Sequence, residues 1–170
     1  MTLGCLARQL GLMEQIEEGL LRHLGEGRCA CLLSRILDLP VRKSRALRSL
    51  GSYVSRGGRP QEIRLQFAQE PQSLRQTLLH EVAHLCDHLI HQEGRRYRRA
   101  HGPGWRLMVA CLGCDASVRG SSDALGALRQ QRLKLVAVCE RCGAQFHRLR
   151  SFPKGRVYAH RGCGGRLLPR

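Results

Sequence analysis

A chain of 170 residues is long enough for one hydrophobic core and a small second module. It contains no uninterrupted apolar stretch of about 18 residues and no charged-then-apolar leader, so we expect no membrane span, no export and a cytoplasmic location. A net charge of +16 predicts attraction to polyanions, with nucleic acid first and an anionic membrane surface second. Nine cysteines, an odd number with several in metal-ligand spacing, fit a reducing compartment better than a disulfide framework.

The first part of the chain predicts a helix followed by strands. Residues 3 to 24 carry leucines and other apolar side chains on one helical face, which predicts one amphipathic helix. Cys29 and Cys31 follow in what we interpret as a short turn, as small buried residues rather than metal ligands. Residues 57 to 60 predict a turn, and residues 62 to 67 alternate apolar and polar side chains, which is typical of a half-buried strand.

A long amphipathic helix is predicted from Pro71 to just before Gly94, and it contains the run His80-Glu81-Val82-Ala83-His84. Histidines four residues apart lie on one helical face, one turn apart, so a single zinc ion fits between their imidazoles. Glu81 leans towards the same ion, where it can take a proton from a metal-bound water. This H-E-x-x-H pattern is that of zinc peptidases.

A catalytic zinc needs a third protein ligand and leaves its fourth position to water. His88 lies about 12 Å along the helix axis from His80, too far to share the ion. His101 is the natural candidate, because the sixteen residues after His84 allow a loop to turn back. On ligand chemistry alone, three other side chains remain alternatives: Asp87, His91 and Glu93.

The order of these motifs resembles a known family. H-E-x-x-H at residues 80–84, a basic loop, and the run His-Gly-Pro-Gly-Trp at residues 101–105 resemble the SprT-like metalloproteases, which include bacterial SprT and the eukaryotic Spartan proteases. Residues 51–53 and 62–65 are similar to the strand pair that precedes the metal helix in that family. The resemblance covers roughly residues 12 to 168, nearly the whole chain.

The resemblance implies an α+β fold, with a zincin-like metalloprotease domain built from the H-E-x-x-H helix and a small mixed or antiparallel sheet. It implies His80, His84 and His101 as ligands of a catalytic zinc and Glu81 as the catalytic acid/base. In zinc peptidases, a strand before the metal helix commonly forms the sheet edge to which an extended substrate adds. By this resemblance, residues 62–67 are the expected edge strand.

The chain after His101 predicts a helix and then a change of domain. Pro103 begins the helix, Gly113 ends it, and we expect Trp105 to be a core residue that seats His101. Residues 116 to 124 are small and polar, which marks a linker or mobile loop. We therefore expect domains at residues 1–130 and 131–170, the second a small β zinc ribbon of the kind that SprT-like proteins often carry.

Two copies of one local pattern, ligand-x-x-ligand-glycine, occur in this second domain at Cys139–Gly143 and His160–Gly164. The glycine allows a sharp turn in which backbone N–H groups face the thiolate. Cys139, Cys142, His160 and Cys163 then form a closed zinc site, which is structural because no position is left for water. Short strands are predicted around it: 133–138, 145–150 and 156–158.

Two other ligand sets remain open for this site. Cys111 and Cys114 also form a C-x-x-C pair, and they could join Cys139 and Cys142 in a four-cysteine site. His147 could replace His160, although it falls in a predicted strand.

Arginine is concentrated in two places. Arg95, Arg96, Arg98 and Arg99 lie in the loop between His84 and His101, where they would draw an acidic polymer to the mouth of the site. The predicted ribbon is also strongly basic, and it is a reasonable nucleic-acid platform. Because aromatic residues make up only 4% of the chain, phosphate contacts should dominate and sequence preference should be weak.

These observations predict a zinc-dependent endopeptidase with one catalytic and one structural zinc. From the resemblance and the charge together, its expected substrates are proteins bound or crosslinked to DNA, as in DNA–protein crosslink repair. The alternative is a non-catalytic zinc protein that binds nucleic acid. Glu81 argues against it, because a structural site needs no carboxylate after its first histidine. The second stabiliser of the oxyanion is unassigned, and Tyr97 is a candidate only by its closeness in sequence.

Overall fold

The N-terminal segment forms three helices rather than one helix and a turn. The computed structural model describes residues 1–98, 100–117 and 120–170, and in it the first three elements are α1 (Leu3–Gln9), α2 (Met13–Leu24) and α3 (Glu26–Ile36). The single helix expected over residues 3 to 24 is wrong, because Gly11 takes a left-handed φ of 62° just after α1. Cys29 and Cys31 lie in α3 and not in a turn, with Cys29 buried and Cys31 exposed.

A three-stranded mixed sheet follows, made of β1 (Val41–Lys43), β2 (Gly51–Arg56) and β3 (Arg59–Leu65). Its order is β1-β3-β2, with β3 parallel to β1 and antiparallel to β2. The expected pairing of residues 51–53 with 62–65 is confirmed. The expectation that residues 62–67 form the edge strand is wrong, because β3 is central and β1 and β2 are the edges. Alternating side chains show which face of a strand is buried, but they carry no information about in-plane neighbours.

The long helix α4 (Pro71–His91) lies at the centre of the first core, and α5 (Pro103–Cys111) packs against it. Both begin with a proline in the first turn, where its missing N–H is not needed. Every residue from Thr77 to Leu89 except the half-buried His80 is buried, because α4 also packs against α3, β2 and β3. His80 and His84 therefore project from a helix that is held on several sides.

The C-terminal elements are α6 (Asp123–Gln131) and a second sheet of β4 (Lys134–Cys139), β5 (Gln145–Arg148) and β6 (Leu167–Pro169). The sheet is antiparallel, in the order β5-β4-β6. The strands expected at 133–138 and 145–150 correspond to β4 and β5. The strand expected at 156–158 is wrong, since the third strand is β6 and Ala159 makes only a single bridge to Arg166. The buried core of this sheet is small: Ala137, Cys139 and Leu167.

Two units result, Met1–Ala124 and Leu125–Arg170. The boundary expected from sequence lies at residue 130, and α6 spans both positions. Within the described residues, the fold is mixed α+β with six helices and two three-stranded sheets. None of these helices combines the length and the apolar character needed to cross a membrane.

Candidate metal centres

Three histidines meet at one point in the first unit. One turn of α4 brings His80 and His84 onto the same face, and His101 approaches from the segment before α5. The Nε2 atoms of the three rings are 3.2 Å apart in each of the three pairs. His101 has a left-handed φ of 65°, an uncommon conformation for a residue other than glycine, which here accompanies the return of its ring to α4.

The donor set of these rings fits a zinc ion. Tetrahedral ligands at about 2.0–2.1 Å from zinc lie roughly 3.3 Å from one another, close to the spacing of the three Nε2 atoms. Burial lowers the pKa of His80 to about 4 and that of His84 to about 3, and it also lowers the pKa of His101. The rings are therefore neutral at pH 7, as metal ligands must be. Their ligand atoms form one of two such groups within the described residues.

Trp105 supports all three rings rather than His101 alone. Its fully buried indole lies with its ring centroid 4.8 Å from that of His80, 5.4 Å from His84 and 4.6 Å from His101. The indole N–H donates a hydrogen bond to the His80 carbonyl, at 3.4 Å. The expected role of this tryptophan as a core residue beside His101 is thus confirmed and extended to the other two histidines.

Glu81 is buried beside the histidines, with 5% of its surface exposed. Burial raises the pKa of its carboxyl group to about 7, against the opposing effect of a hydrogen bond from the Tyr53 backbone N–H. Strand β2 can approach the Glu81 side chain closely because Gly51 has no side chain. A Cβ atom there would lie 2.9 Å from Glu81 Oε1 and 2.6 Å from Thr77 Cγ2. The acid/base candidate is therefore held between the metal helix and the edge strand.

A cleft of about 720 Å³ opens over these residues. Its walls are the start of β2, the N-terminal half of α4, the loop before α5, and the segment after α5. All four site residues predicted in this unit line it: His80, Glu81, His84 and His101. The three histidines thus face a space large enough for part of an extended peptide.

The alternative third ligands lie elsewhere. Asp87 accepts a hydrogen bond from the Tyr97 hydroxyl at 2.9 Å, and Glu93 forms an ion pair with Arg35. His91 lies against the backbone of Gly104. The fold thus brings His101, and none of the three alternative side chains, to His80 and His84. The role of His101 as a metal ligand stays a prediction.

A second group of possible ligands occurs in the second unit, as the sequence predicts: Cys139, Cys142, His160 and Cys163. The Sγ atom of Cys163 lies 3.4 Å from that of Cys139 and 3.5 Å from that of Cys142. The Nδ1 atom of His160 lies 3.2 Å from the Cys142 sulfur and 3.3 Å from the Cys163 sulfur. Three thiols and one imidazole around a common centre fit tetrahedral zinc with no open position.

The two halves of this second site have the same backbone geometry. Gly143 and Gly164, which follow the second ligand of each pair, both have a φ of 72°. Each donates its N–H to the carbonyl of the first ligand, Cys139 or His160, at 3.0 and 2.8 Å. The internal repeat seen in the sequence is thus a structural repeat.

The thiol of Cys139 is prepared to act as a thiolate. Burial would raise its pKa, but backbone hydrogen bonds from Cys142 and Arg141, together with contacts from the Cys163 and Cys142 thiols, outweigh burial and lower the pKa. The group of ligand atoms that lie close together in this unit consists of those four residues. Cys111 ends α5, Cys114 directs its S–H to the Val109 carbonyl at 3.7 Å, and His147 lies in β5.

One contact of the first site has no signal in the sequence, which offers Tyr97 only as a candidate for stabilising the oxyanion. The hydroxyl of Tyr97 lies 2.9 Å from His84 Nδ1, on the side of the ring opposite to the three converging Nε2 atoms. A tyrosine in an irregular loop, thirteen residues from its partner, follows no helical or strand period. The one available indication of this contact is chemical, because a histidine that binds a metal through Nε2 usually donates its Nδ1–H to a neighbouring acceptor.

The first unit therefore contains a candidate mononuclear metal site with an adjacent buried carboxylate in a cleft. The model of the SprT-like family matches residues 35–122, which contain the mixed sheet, α4 and α5. This is just over half of the chain, and the chain belongs to the SprT-like family. The family is associated with metallopeptidase-type activity. Searches among curated proteins and among solved structures find no match.

Proposed function

We propose that the protein is a zinc-dependent endopeptidase of the zincin type that acts on proteins bound or crosslinked to DNA. The observation that carries the peptidase part is the convergence of three neutral imidazoles beside a buried carboxylate in one cleft. Family membership supports the same class of reaction.

The reaction assigns separate tasks to the residues of this cleft. His80, His84 and His101 would hold zinc, which when bound polarises a scissile carbonyl and acidifies a water molecule. Glu81 takes a proton from the attacking water as its oxygen adds to the carbonyl carbon. Glu81 then delivers that proton to the leaving nitrogen as the C–N bond breaks. A carboxyl group whose pKa is raised by burial to about 7 suits both steps at neutral pH.

The substrate chain is proposed to lie along β2. This strand is the sheet edge that lines the cleft, and Gly51 and Tyr53 bring it against Glu81. An extended peptide that adds to an edge strand is recognised mainly through its backbone. The proposal therefore assigns little sequence selectivity to the enzyme, which suits a protease that meets many different DNA-bound proteins.

The distribution of charge supports DNA as the partner. The second unit holds 11 lysines and arginines and a single acidic residue, Glu140, whereas the first unit holds 18 against 12. In the loop before α5, Arg95, Arg96 and Arg98 are exposed, while Arg99 lies outside the described residues. A polyanion bound by such surfaces would concentrate the enzyme and its substrates on one polymer.

The test is cleavage of a DNA-binding protein by the full-length chain, with and without single- or double-stranded DNA. Glu81→Gln should lower kcat by about 10² to 10⁴ and retain zinc, because it removes the proton acceptor and no ligand. Glu93→Gln is the matched control, since that carboxylate lies beyond the end of α4 and pairs with Arg35. If the wild type holds two zinc ions, binds DNA and cuts nothing under any condition, the protein is a nucleic-acid-binding module instead.

A further inference from the structure

Two histidines of α4, one turn apart, each contact a tyrosine hydroxyl through Nδ1. His84 pairs with Tyr97 at 2.9 Å, and the fully buried His88 pairs with Tyr53 at 2.6 Å. The tyrosine rings themselves are in edge contact, with centroids 5.7 Å apart. The two pairs look alike, but their remaining hydrogen bonds require opposite proton positions.

In the first pair, the Tyr97 hydroxyl also lies 2.9 Å from the carboxylate of Asp87. A carboxylate only accepts, so the single hydrogen of the hydroxyl is donated to Asp87. The Tyr97 oxygen must then accept from His84 Nδ1, which therefore carries the proton. The Nε2 atom of His84 is left with its lone pair, facing the Nε2 atoms of His80 and His101.

In the second pair, Nε2 of His88 lies 3.1 Å from the backbone carbonyl oxygen of Arg95. A carbonyl also only accepts, so Nε2 carries the proton and Nδ1 accepts from the Tyr53 hydroxyl. His88 is therefore unable to offer Nε2 to a metal. Of these two rings of α4, His84 thus has a free Nε2 lone pair for a metal, whereas His88 uses Nε2 as a hydrogen-bond donor.

Asp87 is itself held in place. Only 3% of its surface is exposed. Its Oδ1 atom lies so close to the backbone of Gly104 that a Cβ atom added there would be only 2.0 Å away. Gly104 belongs to the first turn of α5, three residues after His101. The carboxylate thus lies between the Tyr97 loop and the helix that follows the third histidine.

We propose that Tyr97, oriented by Asp87, is a positioning residue that holds His84 in the Nδ1–H tautomer and so raises the metal affinity of the three-histidine site. This inference rests on the metal site of the proposed function. It also excludes Tyr97 as the second stabiliser of the oxyanion, because its only hydrogen is donated to Asp87.

The test is zinc binding by Tyr97→Phe in the full-length protein, measured by chelator competition with native mass spectrometry to count the ions. We expect about 10- to 100-fold weaker zinc binding at the histidine site, with the ion of the cysteine site retained as an internal reference. Tyr53→Phe is the matched control. It removes the hydroxyl of the neighbouring tyrosine from a histidine that is not in the three-histidine group, so zinc affinity should not change.

A second measurement separates positioning from packing. Long-range ¹H–¹⁵N spectra of protein freed of zinc at the histidine site should show His84 protonated at Nδ1 in the wild type. In Tyr97→Phe the proton should move, at least in part, to Nε2. Asp87→Asn keeps the tyrosine ring in place and should weaken zinc binding in the same direction, even if Tyr97→Phe folds poorly.

The outcomes distinguish this inference from the proposed function. If the wild type binds zinc only at the cysteine site, the proposed function fails. If the wild type binds two ions and Tyr97→Phe keeps both its zinc affinity and its His84 tautomer, only the positioning role fails. It fails equally if Tyr53→Phe weakens zinc binding as much as Tyr97→Phe does, because the loss would then come from disturbed packing.

Discussion

The two candidate metal sites differ in what holds the ligands together. The histidine site belongs to a unit with 24 buried apolar side chains among its described residues, and its rings are supported by Trp105 and Tyr97. The cysteine site belongs to a unit with only five buried apolar residues, three of which form its core cluster, and one of these three is the candidate ligand Cys139. In the first unit the fold positions the metal ligands, whereas in the second the metal would supply much of the fold. The difference predicts opposite responses to the same treatments.

The largest expected effect is that of metal removal. A strong chelator should unfold the second unit and leave the first folded, because structural zinc supplies roughly 10–16 kcal/mol of apparent binding energy to domains of this kind. Limited proteolysis should then cut within residues 125–170 and spare residues 1–124. Equal protection of both units after complete zinc removal would contradict the comparison.

The next effect concerns the contact of Glu81 with the edge strand. Gly51→Ala should lower kcat by about tenfold to a hundredfold, because the new Cβ displaces the carboxylate or the strand from its working position. Zinc content should not change. Ser55→Ala, on the same strand but away from the lining of the cleft, is the control and should retain full activity. An active Gly51→Ala would show that the Glu81 position tolerates the displacement.

A smaller effect is expected where α2 packs on α5. A Cβ on Gly19 would lie 2.3 Å from the Cys111 carbonyl oxygen, so Gly19→Ala should destabilise the first unit by about 1–3 kcal/mol. Gly27→Ala, in α3, meets no atom within 4 Å and should be neutral or stabilising by up to about 1 kcal/mol. Denaturant unfolding of both variants measures the difference, and equal stabilities would contradict the close approach of the two helices.

The smallest effect tests where DNA binds. Replacing the exposed Arg156 of the second unit by Gln should remove about one phosphate contact. The slope of the logarithm of the DNA-binding constant against the logarithm of salt concentration should then become shallower by about 1. Arg28→Gln, an exposed arginine of α3, should leave it unchanged. Fluorescence anisotropy at several salt concentrations gives the slopes. If only Arg28→Gln changes the slope, DNA contacts the first unit instead.

Local chemistry made several features predictable. The H-E-x-x-H spacing places two imidazoles on one face of any helix, and the family resemblance is confirmed by the match over residues 35–122. The two ligand-x-x-ligand-glycine runs predicted a repeat, because a glycine after the second ligand permits the left-handed φ found at Gly143 and Gly164. Each of these signals resides in a few consecutive residues.

Other features were wrong or missed because they depend on partners distant in the chain. The edge position of β2 follows from the pairing of β3 with β1, and the break between α1 and α2 follows from the conformation chosen at Gly11. The linker expected at residues 116–124 overlaps the start of α6 at its last two residues, where Glu70 accepts a hydrogen bond from the Ala124 backbone N–H; residues 118 and 119 lie outside the described residues. A capping carboxylate fifty-four residues away leaves no local pattern.

The sequence by itself determined the family, the two groups of candidate metal ligands and the position of Glu81, because ligand type and short-range spacing are properties of the local chain. Only the tertiary structure decided how those side chains are prepared for chemistry. Burial between α4 and β2 raises the pKa of Glu81 to about 7, and the link from Asp87 through Tyr97 decides which nitrogen of His84 carries the proton. Desolvation and proton position both depend on which groups the fold brings together.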